Sequence, residues 1–141
     1  MTTGKNEKKL KITVDTNIII SVFVFPGATV VKLFDDFLDG RVELGVSDEI
    51  LREFTGVCVR KYNYDPEDAV KITDIIRQCA VIVRPDKIIS IISDEPDNRI
   101  LECAEKYGAD YIISGDIHLK EIKKYKTIPV ITPADYMKLN R

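Results

Sequence analysis

The stretch Lys11-Ile12-Thr13-Val14-Asp15-Thr16-Asn17-Ile18-Ile19-Ile20 decides the fold. An apolar run ends in an aspartate, and a second apolar run starts directly after a polar pair. Apolar residues on both faces suit a central strand of a parallel sheet, which is covered on both sides. The second run is apolar nearly all round, so a short buried helix is expected over Asn17–Val24, ending before Pro26. Asp15 therefore stands at a strand-to-helix turn. Ligands of open α/β sheets bind outside the carboxyl ends of the strands, which is where this carboxylate falls.

Outward from that stretch the two periodicities alternate. Val30, Leu33, Phe34, Phe37 and Leu38 follow the helical i, i+3, i+4, i+7, i+8 template, and Gly40 closes that helix. Val42–Val46 reads as a strand and Ser47 as the N-cap of a helix that buries Ile50, Leu51, Phe54, Val57 and Cys58. Gly56 inside it costs about 1 kcal/mol relative to alanine. Tyr62–Tyr64 reads as a loop. Asp65 and Pro66 open the next helix, with Ala69, Ile72, Ile76, Cys79 and Ala80 on its apolar face. Val81–Val83 is a short strand; beyond Arg84-Pro85-Asp86 comes the extended-looking Ile88–Ile92. Asp94-Glu95-Pro96-Asp97-Asn98 opens a helix that buries Ile100, Leu101 and Ala104 and stops at Gly108. Tyr111–Ile113 is a strand running into Ser114-Gly115-Asp116. A short basic helix, a last strand over Ile128–Ile131 and a final turn from Thr132-Pro133 complete the chain. Strands alternating with helices predict a three-layer α/β/α domain, a parallel sheet with helices on both faces.

The 141 residues suit one domain over 1–141. Such a length buries roughly 68–70% of the unfolded surface, so no disulfide or structural metal is needed to hold the core. Charges interrupt every apolar stretch well short of the ~20 residues that span a bilayer. The start, with Lys5, Glu7, Lys8 and Lys9, has no secretory-type apolar region. A cytoplasmic protein without a membrane partner is expected, residues 1–9 being a loosely held basic segment. Cys58, Cys79 and Cys103 are odd in number, far apart and without metal-ligand spacing, and read as reduced core thiols. A net charge of -2 leaves no overall basic footprint, so a nucleic acid would be held by local patches or through a metal.

Asp15 and Asp116 occupy equivalent positions, each at or just past the end of an apolar strand and ahead of a helix. Parallel strands share one carboxyl edge, so the two acids face the same side, and they converge if their strands are neighbours. Asp97 lies three and four residues before Ile100 and Leu101 and leans toward the packed face. Glu53 lies beside its helix's apolar stripe, three residues after Ile50 and four before Val57. Carboxylates gathered in one cleft repel each other and tend to take up protons. A hard divalent cation, Mg²⁺ or Mn²⁺, resolves that conflict, and such a site suits phosphodiester hydrolysis. Each acid also has a plainer reading, which spacing leaves open. Asp97 can be a partner of an Asp94 cap or a charge at the helix's positive end; Glu53 can be a solvated rim residue; Asp116 can be an N-cap. Asp15 is hardest to dismiss, because a carboxylate against an apolar strand end is costly without a partner.

Asn17 either caps its helix or orients Asp15, and Ser114 either bonds a carboxylate or fits the turn. His118, the only histidine, has no ligand partner and reads as a surface or packing residue. Lys120, Lys123, Lys124 and Lys126 form one basic cluster and Lys5, Lys8, Lys9 and Lys11 another, each a phosphate contact or a solvated face. There is no dinucleotide fingerprint, P-loop or nucleophile elbow.

Four segments in order, VDTNIIIS, SDEILREF, DEPDNRILECA and YIISGDIHL, resemble the PIN-domain family, over nearly the whole chain from Ile12 to Asp135. The resemblance is strongest to prokaryotic single-domain members grouped with toxins of toxin–antitoxin pairs. It implies about five parallel strands in the order 3-2-1-4-5, with the Asp15 and Asp116 strands adjacent. The family's acidic quartet falls on Asp15, Glu53, Asp97 and Asp116, which implies a Mg²⁺- or Mn²⁺-dependent ribonuclease leaving 5′-phosphate and 3′-hydroxyl ends. Asn17 and Ser114 match its supporting polar positions. Asp97 is taken as the metal ligand because it abuts Asn98, with Asp94 behind it or as a cap. The resemblance further implies a homodimer and an antitoxin partner. The alternative is a non-catalytic RNA-binding or antitoxin-bound PIN module. A phosphoacceptor domain fits poorly, since Thr132-Pro133 stands where such a site needs a lysine.

Overall fold

The computed structural model describes residues 9–24 and 27–139, so nearly all of the basic N-terminal segment, and Pro26, lie outside the described residues. In chain order the elements are β1 (Leu10–Val14), α1 (Thr16–Phe23), α2 (Ala28–Leu38), β2 (Val42–Ser47), α3 (Asp48–Tyr62), α4 (Pro66–Cys79) and β3 (Val81–Val83), followed by α5 (Glu95–Tyr107), β4 (Tyr111–Ile113), α6 (Ile117–Ile122), β5 (Lys124–Tyr125), β6 (Ile128–Ile131) and α7 (Pro133–Met137). One sheet runs β3-β2-β1-β4-β6-β5. The five strands β3, β2, β1, β4 and β6 pair in parallel, in the expected order. The addition is β5, a two-residue strand antiparallel to β6. It is too short to leave a periodic signal.

β1 is central because both its faces are covered: Ile12, Thr13 and Val14 are each 1% exposed or less. Several helix ends are set by the chemistry their sequence announces. Ser47 Oγ accepts from the Ile50 N–H at 3.2 Å. Thr132 and Asp135 form a reciprocal capping box on α7. α5 stops at Gly108, whose φ of 74° is open to glycine without strain. β2 and α5 approach so closely that a Cβ on Gly45 would lie 2.6 Å from Cγ and Cε2 of Tyr107. That ring is held in place, with its hydroxyl donating to Glu43 and Lys11 Nζ lying 4.5 Å from its centroid.

The structure corrects four expectations of packing. Tyr62 is the last residue of α3, and the loop starts at Asn63, a left-handed C-cap. Leu38, at the end of α2, is 55% exposed, since the helix there runs past its neighbours. Cys79 is exposed at the end of α4, whose buried positions are Ala69, Thr73 and Ile76; Cys58 and Cys103 are core thiols as expected. Ile88–Ile92 is no strand. Its backbone bonds go to side chains of α5, with Ile89 N–H donating to Glu102 and Ile91 and Ile92 N–H donating to Asn98. A short apolar run carries no mark that separates the two cases.

The last helix is fastened by a buried polar contact. Tyr136 donates its hydroxyl to Asp36 Oδ2 at 2.7 Å, and Lys32 Nζ donates to Oδ1 at 2.8 Å. Tyr136→Phe leaves the ring and removes one bond to a buried carboxylate, which should cost about 2 kcal/mol. A lower urea midpoint at unchanged m value is the expected result; an unmoved midpoint would show the contact to be idle. Among the described residues no single helix is long and apolar enough to cross a membrane.

Candidate metal centre

The β1–β4 register places Val14 opposite Ile113, so the residues just beyond, Asp15 and Ser114, meet at the carboxyl edge. Asp15 is buried at 2% exposure. Its Oδ1 accepts from the Ile18 N–H at 2.9 Å, which makes it the N-cap of α1, and its Oδ2 accepts from the Ser114 hydroxyl. Ser114 Oγ in turn accepts from the Asp116 N–H at 2.8 Å. Ser114 is thus the hinge between the two strand-end acids. Asn17 does not cap: Asp15 holds that position two residues earlier, and Asn17 is an exposed residue on the cleft wall.

Asp116 caps α6, its Oδ1 accepting from His118 and Leu119 N–H at 2.7 and 3.4 Å. The N-cap reading holds, and the cap fixes the carboxylate at the cleft, which is compatible with the chemical reading. Asp97, in the first turn of α5, is 6% exposed, and its buried Oδ2 has no hydrogen-bond partner among the described residues. Asp94 occupies the N-cap position of α5 but makes no side-chain cap bond. One oxygen each from Asp94, Asp97 and Asp116 lie within 4.8 Å of one another. Asp94 therefore sits inside the cleft, where the sequence suggested a cap or a residue behind Asp97. Glu53 stands half-buried on the α3 wall, so all four acids of the quartet line one cleft of about 110 Å³.

Electrostatics mark the same place. Burial pushes the Asp15 carboxyl up to about 6, against the pull of its Ser114 and Ile18 hydrogen bonds. Asp97 rises to about 7, through burial first and then the charges of Asp116, Asp94 and Asp15. Both folded values lie above the ordinary 3.8, so between about pH 4 and 7 these two groups hold more protons in the metal-free folded protein than in the unfolded chain; the lowered Glu105 acts oppositely only near the acid end of that window. The protein's stability should fall as pH rises through that window. Melting in a chelator at pH 5 and pH 8 should give the lower midpoint at pH 8, and added Mg²⁺ or Mn²⁺ should close the gap. An equal or higher midpoint at pH 8 would count against this electrostatic picture.

A hard divalent cation fits the donor set. The three converging groups are carboxylate oxygens, and one buried carboxylate oxygen beside them has no hydrogen-bond partner among the described residues. A hollow of about 940 Å³ lies at the opposite edge of the sheet beside Lys9, Lys11, Gly108 and Asp110. It is wide and open and gathers no comparable set of perturbed groups, so the small acidic cleft is the better candidate. Lys120, Lys123 and Lys124 are exposed and lie on α6 and just after it, outside the cleft wall. His118 is exposed, as expected.

A carboxylate cleft at the carboxyl edge of a parallel sheet, between its central strand and the next, is the shared feature of a known group of domains. The family model described as PIN domain matches residues 11–118, and the chain belongs to the PIN-domain family. It is 30% identical over 146 residues to an uncharacterised protein of Methanocaldococcus jannaschii, a match spanning 94% of each chain. Among solved structures, VapBC2 from Rickettsia felis, bound to a DNA fragment from its promoter, is similar with a TM-score of 0.62 at 17% identity, covering 87% of this chain and 98% of the other. VapC20 of Mycobacterium tuberculosis, a sarcin–ricin loop cleaving toxin, gives 0.56 at 14% identity, covering 84% and 99%. Identities this low speak for the fold alone.

Proposed function

We propose that the protein is a metal-dependent endoribonuclease that hydrolyses RNA phosphodiesters, and the toxin of a toxin–antitoxin pair. The observation that carries the reading is the partnerless buried oxygen of Asp97 among converging carboxylates. Family membership supports it, as does the likeness to VapC20, a sarcin–ricin loop cleaving toxin. Mg²⁺ or Mn²⁺ would be held by Asp97 and Asp116, with Asp15 and Glu53 closing the quartet. Bound there, a cation would polarise the phosphodiester, acidify an attacking water and stabilise the leaving oxygen.

The chain's own groups have separate tasks. Ser114 and the Ile18 N–H orient Asp15, and the α6 N-terminus orients Asp116. Asp97 and Asp116 bring carboxylate oxygens within 4.8 Å of each other, and that proximity adds to the burial that raises the Asp97 carboxyl. Glu53, half-exposed on the wall, is placed to take a proton from water at its carboxylate. Lys120 lies one helical turn past Asp116 and is offered to an RNA phosphate, followed by Lys123 and Lys124. A cytoplasmic location, an antitoxin partner and a homodimer belong to the same reading.

Purified protein should cut a panel of single-stranded and structured RNAs with Mn²⁺ or Mg²⁺, and chelation should stop it. The Asp15→Asn variant should not cut; equal activity in both proteins would point to a contaminant and sink the assignment. Calorimetry tests the alternative of a binding module without turnover. Failure of both ions to bind at millimolar concentration would favour that module.

A further inference from the structure

The segment between β3 and α5 has no ladder of its own, yet it delivers Asp94 to the cleft. Side chains from the first two turns of α5 hold it. Asn98, fully buried, accepts from Ile91 N–H at 3.0 Å and Ile92 N–H at 2.9 Å through Oδ1. Its Nδ2 donates to the Ile92 carbonyl at 2.6 Å and, more weakly, to the Asp94 carbonyl at 3.5 Å. One amide side chain thus binds the backbone at 91, 92 and 94. Ile89 is buried in the core and Ile92 packs against it, while Ile88 and Ile91, 86% and 62% exposed, add little apolar anchoring. From 91 to 94, the approach to the cleft, it is the Asn98 hydrogen bonds that fix the backbone.

That placement matters for Asp94 because its carboxylate is left to the cleft. It makes no cap bond to α5 and lies within 4.8 Å of oxygens on Asp97 and Asp116, beside the partnerless Asp97 Oδ2. Three carboxylates so close are mutually repulsive unless a cation lies between them. Asp15, by contrast, has both oxygens engaged, by Ser114 and Ile18, and is less free to move toward an ion.

We propose that Asp94 is a third carboxylate ligand of the cation beside Asp97 and Asp116, and that Asn98 is the positioning residue that sets it there. This rests on the acidic cleft being the metal centre of the proposed nuclease. Partners that orient metal ligands typically change affinity by about 10–100-fold when removed.

Calorimetric Mn²⁺ titrations of the wild-type protein, Asp94→Asn, Asn98→Ala and the double variant test it. Each single variant should weaken Mn²⁺ binding about tenfold or more, and the double should bind no more weakly than Asp94→Asn alone. That non-additivity is expected only if Asn98 acts through Asp94. Additive losses, or wild-type affinity in Asp94→Asn, overturn the proposal. Asp97→Asn serves as the reference. Wild-type affinity there would sink the metal centre itself, whereas loss in Asp97→Asn with none in Asp94→Asn sinks only this inference. Should Asn98→Ala fail to fold, Asn98→Asp keeps the acceptor for Ile91 and Ile92 and removes the donor. A loss that vanishes in the Asp94→Asn background supports the proposal, and one that persists overturns it.

Discussion

Asp97→Asn should abolish RNA cleavage and at the same time make the metal-free protein more stable. A metal contributes several kcal/mol of transition-state stabilisation, and each 1.4 kcal/mol is a factor of ten, so loss of its buried ligand should lower the rate by at least about 10³-fold. The stability change has the opposite sign. At pH 8 the wild-type carboxylate is ionised in a buried place, facing the charges of Asp116, Asp94 and Asp15. An asparagine of the same shape carries no charge and can donate to those neighbours. The gain should shrink toward pH 5, where Asp97 is already protonated. Melting in a chelator at both pH values, next to a cleavage assay, reads both effects. A dead variant that is also less stable at pH 8 would mean that Asp97 is a structural residue.

The second large effect is expected far from the cleft. Gly45→Ala puts a Cβ into the Tyr107 ring, 2.6 Å from two of its carbons. The ring cannot step aside cheaply, being tied to Glu43, covered by Lys11 and 9% exposed. Overpacking of this kind costs about 1–3 kcal/mol for one methyl, a large part of a typical 5–15 kcal/mol total. Gly45→Val should do worse. Denaturant unfolding checks the loss, and a Tyr107→Ala background should remove much of it, because the added methyl then enters vacated space. Equal losses in the two backgrounds would refute the steric account.

What could be read in the chain, and what could not, follows the range of the interactions. Asp15 at the end of β1, the Ser47 cap, the Thr132-Pro133 turn and the parallel order are local patterns or follow from the family resemblance, and they stand. The errors arise where distant groups decide. Ile88–Ile92 has the composition of a strand, but its N–H groups meet side chains from six to thirteen residues downstream. Asn17 was offered a cap that Asp15 takes, because the helix begins one residue earlier than its apolar pattern. Asp94 illustrates the site. Its cap-like position is visible in sequence, but the missing cap bond and the approach of its oxygen to those of Asp97 and Asp116 are not. The hydroxyl of Ser114 bridging Asp15 and the Asp116 N–H was one of two open readings, and the register of β1 and β4 selects it.

The position of β1 between β2 and β4 also dictates an order of assembly. β2 follows β1 after only α1 and α2, whereas the Ser114 partner of Asp15 is 99 residues downstream. Closing the longer loop costs more entropy, and sheets joined by distant pairings fold slowly. β1, β2 and β3 can associate while the chain is still emerging from the ribosome at about 5–20 residues per second. The cleft has no second wall until β4 is synthesised and docked. Chains interrupted before that point should carry half a sheet and an unfinished acidic cleft, since Ser114 and Asp116 enter only with the β4 edge.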